Sequence, residues 1–164
     1  MKRLLPVLVL LHLCLPLPAF AADASGVLNV SATISSDCAV GTSLLAFGTI
    51  SSGAVLAGNI DATGTLTVNC TIGVPYTVNL GVGSGAGARF SERFMTSGSN
   101  LLSYSIYTTV AHTVIWGDGS GSTATVAGTG SGAAQLLSAY GRIFAGQTPQ
   151  PGTYADTVSV TVSY

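Results

Sequence analysis

An all-β fold, a two-layer sandwich or a barrel, is what this sequence predicts, on three observations. Short runs of alternating apolar and polar residues recur along the chain, stretches rich in glycine and serine separate them, and few segments read as convincing helices. The composition agrees: 21 glycines in 164 residues, 48% hydrophobic residues and only 7% charged ones leave Ser, Thr, Gly and Asn to build most of the surface.

Residues 1–21 read as an export signal. Met1, Lys2 and Arg3 form a basic start, an apolar run extends from Leu4 to Leu17, and Ala19 and Ala21 place small residues where a signal peptidase reads, so cleavage is expected after Ala21. The run carries His12 and Pro16 and is short for a bilayer, and no later stretch approaches the roughly 20 apolar residues of a membrane helix. Leu13 precedes Cys14 where lipid attachment would need a small residue. An exported mature chain without an integral membrane segment is expected, long enough for one sandwich-sized core. It keeps Arg89, Arg93 and Arg142 against six acids, a net charge of about −3. With no basic patch to neutralise phosphates, nucleic acid is not expected as a partner.

The elements follow in order. Leu28, Val30, Ala32 and Ile34 alternate with Asn29, Ser31 and Thr33, so one face of an extended arm, residues 22–36, is apolar with no hairpin partner beside it. Cys38 and Cys70, the cysteines left after cleavage, are expected to be joined in an oxidising compartment. Leu44 to Ile50 reads as a strand, followed by a break rich in Ser and Gly. Leu66, Val68 and Cys70 share a face of the next strand, and Tyr76, Val78 and Leu80 a face of another. A glycine-rich loop from Gly81 to Ala88 precedes Leu102, Tyr104 and Ile106 in step. Thr113 to Trp116 is a shorter strand stopping at Gly117-Asp118-Gly119, and Ala133 to Ala139 is read as a strand leading into Tyr140–Ile143. After the turn-forming run Gln147–Gly152, Val158, Val160, Val162 and Tyr164 line one face of a last strand, with no residues following to close a sandwich.

The usual chemical constellations are absent or bland. His112 is the one histidine of the mature chain, expected at a surface or edge, so a Ser-His-Asp or Cys-His set would depend on it alone. Asp118 between glycines fits a turn, not a calcium loop. Arg89, Glu92 and Arg93 are expected to form a local ion pair, and Gly81–Gly87 lacks the lysine of a phosphate loop. No catalytic, cofactor-binding or metal-ligating set is expected.

Cys38, Phe47-Gly48, Val68-Asn69-Cys70-Thr71, Pro75–Val78, Arg93-Phe94-Met95, Leu102–Tyr107, Trp116-Gly117, Tyr140–Ile143 and Gly152–Val158, taken as an ordered set, resemble the spore coat protein U domain family, which includes subunits of archaic, Csu-type chaperone-usher pili. The resemblance spans essentially the whole mature chain. It implies an incomplete immunoglobulin-like β-sandwich, residues 37–164, completed by donor-strand exchange. Leu28, Val30, Ala32 and Ile34 of the arm 22–36 would then be donated to a neighbour, and Val158, Val160, Val162 and Tyr164 would edge the acceptor groove. It further implies neighbouring subunits, a periplasmic chaperone and an outer-membrane usher as partners, with transit through the periplasm to the cell surface or an extracellular fibre.

Two alternatives stay open at this level. Residues 27–35 can equally fold back as the first strand of their own domain, since a self-filled monomer and a polymer bury the same face. A stand-alone secreted module whose Tyr- and Trp-bearing loops bind a glycan or a protein is the second function class, and a well-behaved monomer made without a chaperone would favour it.

Overall fold

The computed structural model describes residues 22–42 and 44–164, so the expected leader, residues 1–21, lies outside the described residues. Two units are separate in the chain, one running to Thr33 and the other from Ile34 to Tyr164, and the β-structure belongs to the second.

In chain order its elements are β1 (Cys38–Thr42), helix α1 (Ser52–Ala57), β2 (Ile60–Cys70), β3 (Pro75–Leu80), β4 (Arg93–Ser97), β5 (Asn100–Tyr107), β6 (Ile115–Trp116), β7 (Thr123–Ala124), β8 (Val126–Thr129), β9 (Gln135–Ile143) and β10 (Val160–Ser163). The larger sheet runs β1-β2-β9-β5-β6-β7, with β4 paired to β5 off this path, and the smaller sheet runs β10-β3-β8. Every pairing is antiparallel except β6 with β7.

Alternation decides which side chains go inward. Along β2, Leu66, Val68 and Cys70 are buried while Thr67 and Asn69 on the other face keep contact with solvent, and β3 buries Tyr76, Val78 and Leu80 in the same way. These faces meet Leu102, Tyr104 and Ile106 of β5, Trp116 of β6 and Ile143 of β9 in one core between the two sheets. The result is an immunoglobulin-like β-sandwich, the expected fold class.

Cys38 and Cys70 are joined as expected, opposite each other at the first rung of the β1–β2 ladder. The stretch expected as a strand at Ala133–Ala139 does become one, β9 beginning at Gln135. The expected strand at Leu44–Ile50 does not form a ladder: among the described residues this segment lies across the inner face of β2 and β9 without strand pairing. It can approach because Gly64 and Gly141 stand beneath it. A Cβ on Gly64 would come within 3.1 Å of the Leu45 Cβ, and one on Gly141 within 2.8 Å of a Leu45 methyl and 2.9 Å of the Phe47 ring.

The break that follows is also not plain loop. Ser51 accepts the Ala54 N–H through its hydroxyl and starts α1, which buries Val55 completely.

Candidate functional site: an open apolar cleft

The unusual feature of the body is a cleft of about 820 Å³ that opens along one flank of the sandwich. One wall is the unladdered segment, with Leu45, Phe47 and Ile50 turned inward. The opposite wall is the approach to β10, with Tyr154, Val158 and Val160. Core side chains form the floor, among them Leu66 of β2, Leu80 of β3, and Tyr104 and Ile106 of β5. The Phe47 ring stands edge-on to Tyr104, 6.3 Å between centroids, so wall and floor interlock.

Hydrogen bonds fix the walls in place. At one end α1 and the segment after β9 are tied together: the Ser52 hydroxyl donates to the Pro149 carbonyl at 2.6 Å, and the Gly146 N–H donates to the Val55 carbonyl at 3.1 Å. The Tyr154 wall is fixed through Asp156. Its carboxylate accepts the Tyr104 hydroxyl at 2.7 Å, and the Ser84 hydroxyl, the Ser84 N–H and the Thr157 N–H each at 2.7 Å. Burial alone would raise this carboxyl, but the bonds from Ser84, Tyr104 and Thr157 outweigh it and hold Asp156 below the ordinary carboxylate range. Burial, reinforced by the bond to Asp156, drives the Tyr104 phenol far above its ordinary value, so it serves as a donor and not as a base.

The backbone edge along this wall is open. β10 is an edge strand of the smaller sheet, paired to β3 on one side only. The Gly81 N–H donates to the Ser159 carbonyl, while the Leu80 N–H turns away to Gly117. By antiparallel alternation Ser159, Thr161 and Ser163 therefore address β3, and Val158, Val160 and Val162 direct their N–H and C=O groups to the cleft side. An edge of this kind, beside an apolar cleft, is a template for another extended segment.

The residues singled out by sequence fall as follows. Val158 and Val160 line the cleft, and Val162 packs half-buried against the core, whereas Tyr164 is 57% exposed and is not among the lining residues. The regular strand is shorter than the expected Val158–Tyr164, covering Val160–Ser163. Leu28, Val30 and Ile34 are 87%, 84% and 95% exposed, Ala32 is exposed as well, and residues 22–37 take part in no helix or strand.

The wall formed by Leu45, Phe47 and Ile50, the helix and the Asp156 network were not foreseen in the sequence. A signal for the helix existed in Ser51 ahead of Ala54-Val55-Leu56-Ala57, too short a run for helical periodicity to register. Two expectations need correction. Arg93 does not pair with Glu92. It is completely buried and donates to the carbonyls of Gly81, Phe90 and Trp116, with Nη2–O distances of 2.9 Å to Gly81 and 2.8 Å to Trp116, while Glu92 accepts the Ser103 hydroxyl. Nor is His112 a surface residue: its side chain is 4% exposed, edge-on to the rings of Tyr107 and Tyr140 and 3.7 Å from Asp61, which holds Arg142 in a two-pronged ion pair.

Among the described residues no group of three or more His, Cys, Asp or Glu side chains could hold a metal ion, and no helix is long and apolar enough to cross a membrane. Asp118 accepts the Ser120 N–H within a turn, as expected.

The body is similar to a chain in the crystal structure of the CsuC–CsuE chaperone–tip adhesion subunit pre-assembly complex from archaic chaperone-usher Csu pili of Acinetobacter baumannii. The TM-score is 0.59 at 22% identity, over 80% of this chain and 40% of that one, a likeness of fold. The chain spans about two fifths of that neighbour's length. In sequence it is 32% identical over 160 residues to Protein U of Myxococcus xanthus, covering 90% of this chain and 88% of that protein. Residues 24–161 match the model of the Spore Coat Protein U domain, and the chain belongs to that family.

Proposed function

We propose that this protein is a structural subunit of an exported bacterial surface fibre or coat, assembled by the chaperone-usher route through donor-strand complementation. The arm of one molecule, residues 22–36, lies in the cleft of the next. Leu28, Val30, Ala32 and Ile34 fill the floor, and the arm's backbone pairs with the open edge at Val158–Val162. A periplasmic chaperone covers the cleft beforehand, and an outer-membrane usher exchanges that cover for the arm. The resemblance of the fold to a subunit captured with its chaperone before assembly supports the chaperone step.

One observation carries the reading: an apolar cleft bordered by the unpaired edge of β10. Left uncovered, such a surface aggregates. Burying Leu28, Val30 and Ile34 contributes on the order of 5 to 8 kcal/mol gross, at roughly 1.5 to 3 kcal/mol per large side chain. Main-chain pairing adds register, as in other strand-addition complexes. Because donor and acceptor are different surfaces of one molecule, the contact is head-to-tail and propagates without closing. No reaction is required of the chain in this role.

The test is co-expression with the cognate chaperone and usher, read as a ladder on an unheated gel that collapses on boiling. Deleting residues 22–36 abolishes the ladder and leaves chaperone capture intact. Val30→Asp would bury an unpaired carboxylate in the cleft and strongly reduces the ladder. Polymers that survive the deletion, or a monomer whose arm is tucked into its own body, would overturn the proposal.

A further inference from the structure

If the arm is gripped by a neighbour, any tension on the fibre enters the body at the arm's root, and the root has an unusual construction. Asp37 is clamped to Thr71: its N–H donates to the Thr71 hydroxyl at 3.1 Å, and its carbonyl accepts the Thr71 N–H at 2.9 Å and the Thr71 hydroxyl at 3.2 Å. The next residue is Cys38, bonded to Cys70.

Behind this point the chain is poorly held. β1 is an edge strand of five residues in which only Cys38 is half-buried and the other four are exposed. Its ladder to β2 begins at Cys38 opposite Cys70 and ends at Thr42 opposite Leu66. A pull on Asp37 therefore acts on the first rung of a short surface ladder, the geometry in which hydrogen bonds open one after another. β2 is the contrary case. It has eleven residues, lies between β1 and β9, pairs with β9 from Ile60 to Val68, and buries Leu66, Val68 and Cys70.

We infer that the Cys38–Cys70 disulfide is a force-transmitting link, which passes tension from the arm directly to β2 and shields β1 from being peeled away. The inference rests on the donor-strand reading. It assigns the disulfide a role distinct from general stabilisation, because the bond sits on the first rung of the β1–β2 ladder, directly behind the Asp37–Thr71 hydrogen bonds that a pull on the arm loads first. It also keeps the stretch between Cys38 and Cys70, 32 positions apart, out of the path of tension. The Asp37–Thr71 hydrogen bonds orient the root but break at forces a covalent bond withstands.

Single-fibre stretching tests this, on fibres of the wild-type chain assembled with chaperone and usher, before and after reduction with a phosphine. Oxidised fibres show no low-force lengthening attributable to β1. Reduced fibres gain a reversible low-force extension, since peeling Cys38–Thr42 frees about 17 Å of chain per subunit, five residues at roughly 3.4 Å each. When whole bodies unfold, reduction adds up to about 110 Å of chain per body, the 32 positions at the same rise. Thr71→Val fibres, with the disulfide kept, stretch like the wild type. In reduced Thr71→Val fibres the low-force extension starts at still lower force.

Reduced wild-type fibres that show only the longer unfolding step, and no new low-force extension, overturn the link while leaving the donor-strand reading intact. An oxidised Thr71→Val fibre that peels at low force overturns it too, by placing the grip in the hydrogen bonds. Failure of the wild-type chain to form fibres at all overturns the donor-strand reading and the link with it.

Discussion

The two flanks of the sandwich are built from similar residues and end in opposite states. On the closed flank, the Arg93 guanidinium is completely buried and joins the carbonyls of Gly81, Phe90 and Trp116, while the Trp116 indole N–H donates to the Val78 carbonyl at 3.0 Å. Three backbone segments are sewn together by two side chains, and the Phe90 ring lies 5.7 Å from the guanidinium. On the open flank, Leu45, Phe47, Val158 and Val160 line a cleft, and the Phe47 ring stands edge-on to Tyr104 of its floor. A sandwich can thus be tied together by buried side chains at one place and left open at another. What separates the flanks is whether backbone polar groups find partners, since both sides are apolar in composition.

The largest expected effect of breaking this contrast is Arg93→Met. It leaves buried carbonyls without donors, at about 1 to 3 kcal/mol for each unsatisfied group, so a loss on the order of 3 kcal/mol or more is expected in urea unfolding of the mature chain. A loss below about 1 kcal/mol would mean the closed flank does not depend on this side chain. Gly64→Ala acts on the open flank. The new Cβ meets the Leu45 backbone as well as its side chain, and about 1 to 3 kcal/mol is expected, together with weaker uptake of a synthetic peptide of residues 22–36. Gly141→Ala presses only on the ends of the Leu45 and Phe47 side chains, which can turn aside, so its cost stays under about 1 kcal/mol by the same measurement. Equal losses from the two glycines would show that the wall does not yield as a set of side chains.

Asp156 gives the smallest and most specific effect, in pH dependence. Its folded-state carboxyl titrates below the ordinary range, so its contribution is complete above about pH 4 and is lost as the pH falls through the lowered value. Asp156→Asn is therefore less stable than the wild type at pH 6, and the gap narrows toward pH 2. The slope remaining in the variant belongs partly to Asp61, which Arg142 also holds below the ordinary range. A gap independent of pH would place the effect in shape and not in charge.

Some of this was legible in the sequence, and the pattern of what was legible is physical. Alternation in Leu66, Val68 and Cys70, or in Tyr76, Val78 and Leu80, marks an inward face because successive side chains of a strand point to opposite sides. The disulfide followed from two cysteines and an oxidising compartment. The same alternation placed Val158, Val160 and Val162 on one apolar face, though not which pairing that strand would lack. Leu44–Ile50 misled because its apolar spacing is that of a strand, whereas glycines in β2 and β9, far along the chain, let it settle flat on their face instead. Arg93 and His112 misled for a related reason. Charge and polarity in a sequence suggest a surface, and only the carbonyls of Gly81, Phe90 and Trp116, or the rings of Tyr107 and Tyr140, make burial tolerable.

Local pattern by itself determined the β class, the inward faces and an apolar arm, because each depends on neighbours within a few residues, and the count of cysteines in an oxidising compartment determined their pairing. The tertiary structure alone decided that Leu45 and Tyr154 line one cleft, that Arg93 is buried among the carbonyls of Gly81, Phe90 and Trp116, and that β10 keeps one edge unpaired. Those outcomes depend on strands distant in sequence competing for the same hydrogen-bonding edges, a competition that no single segment records.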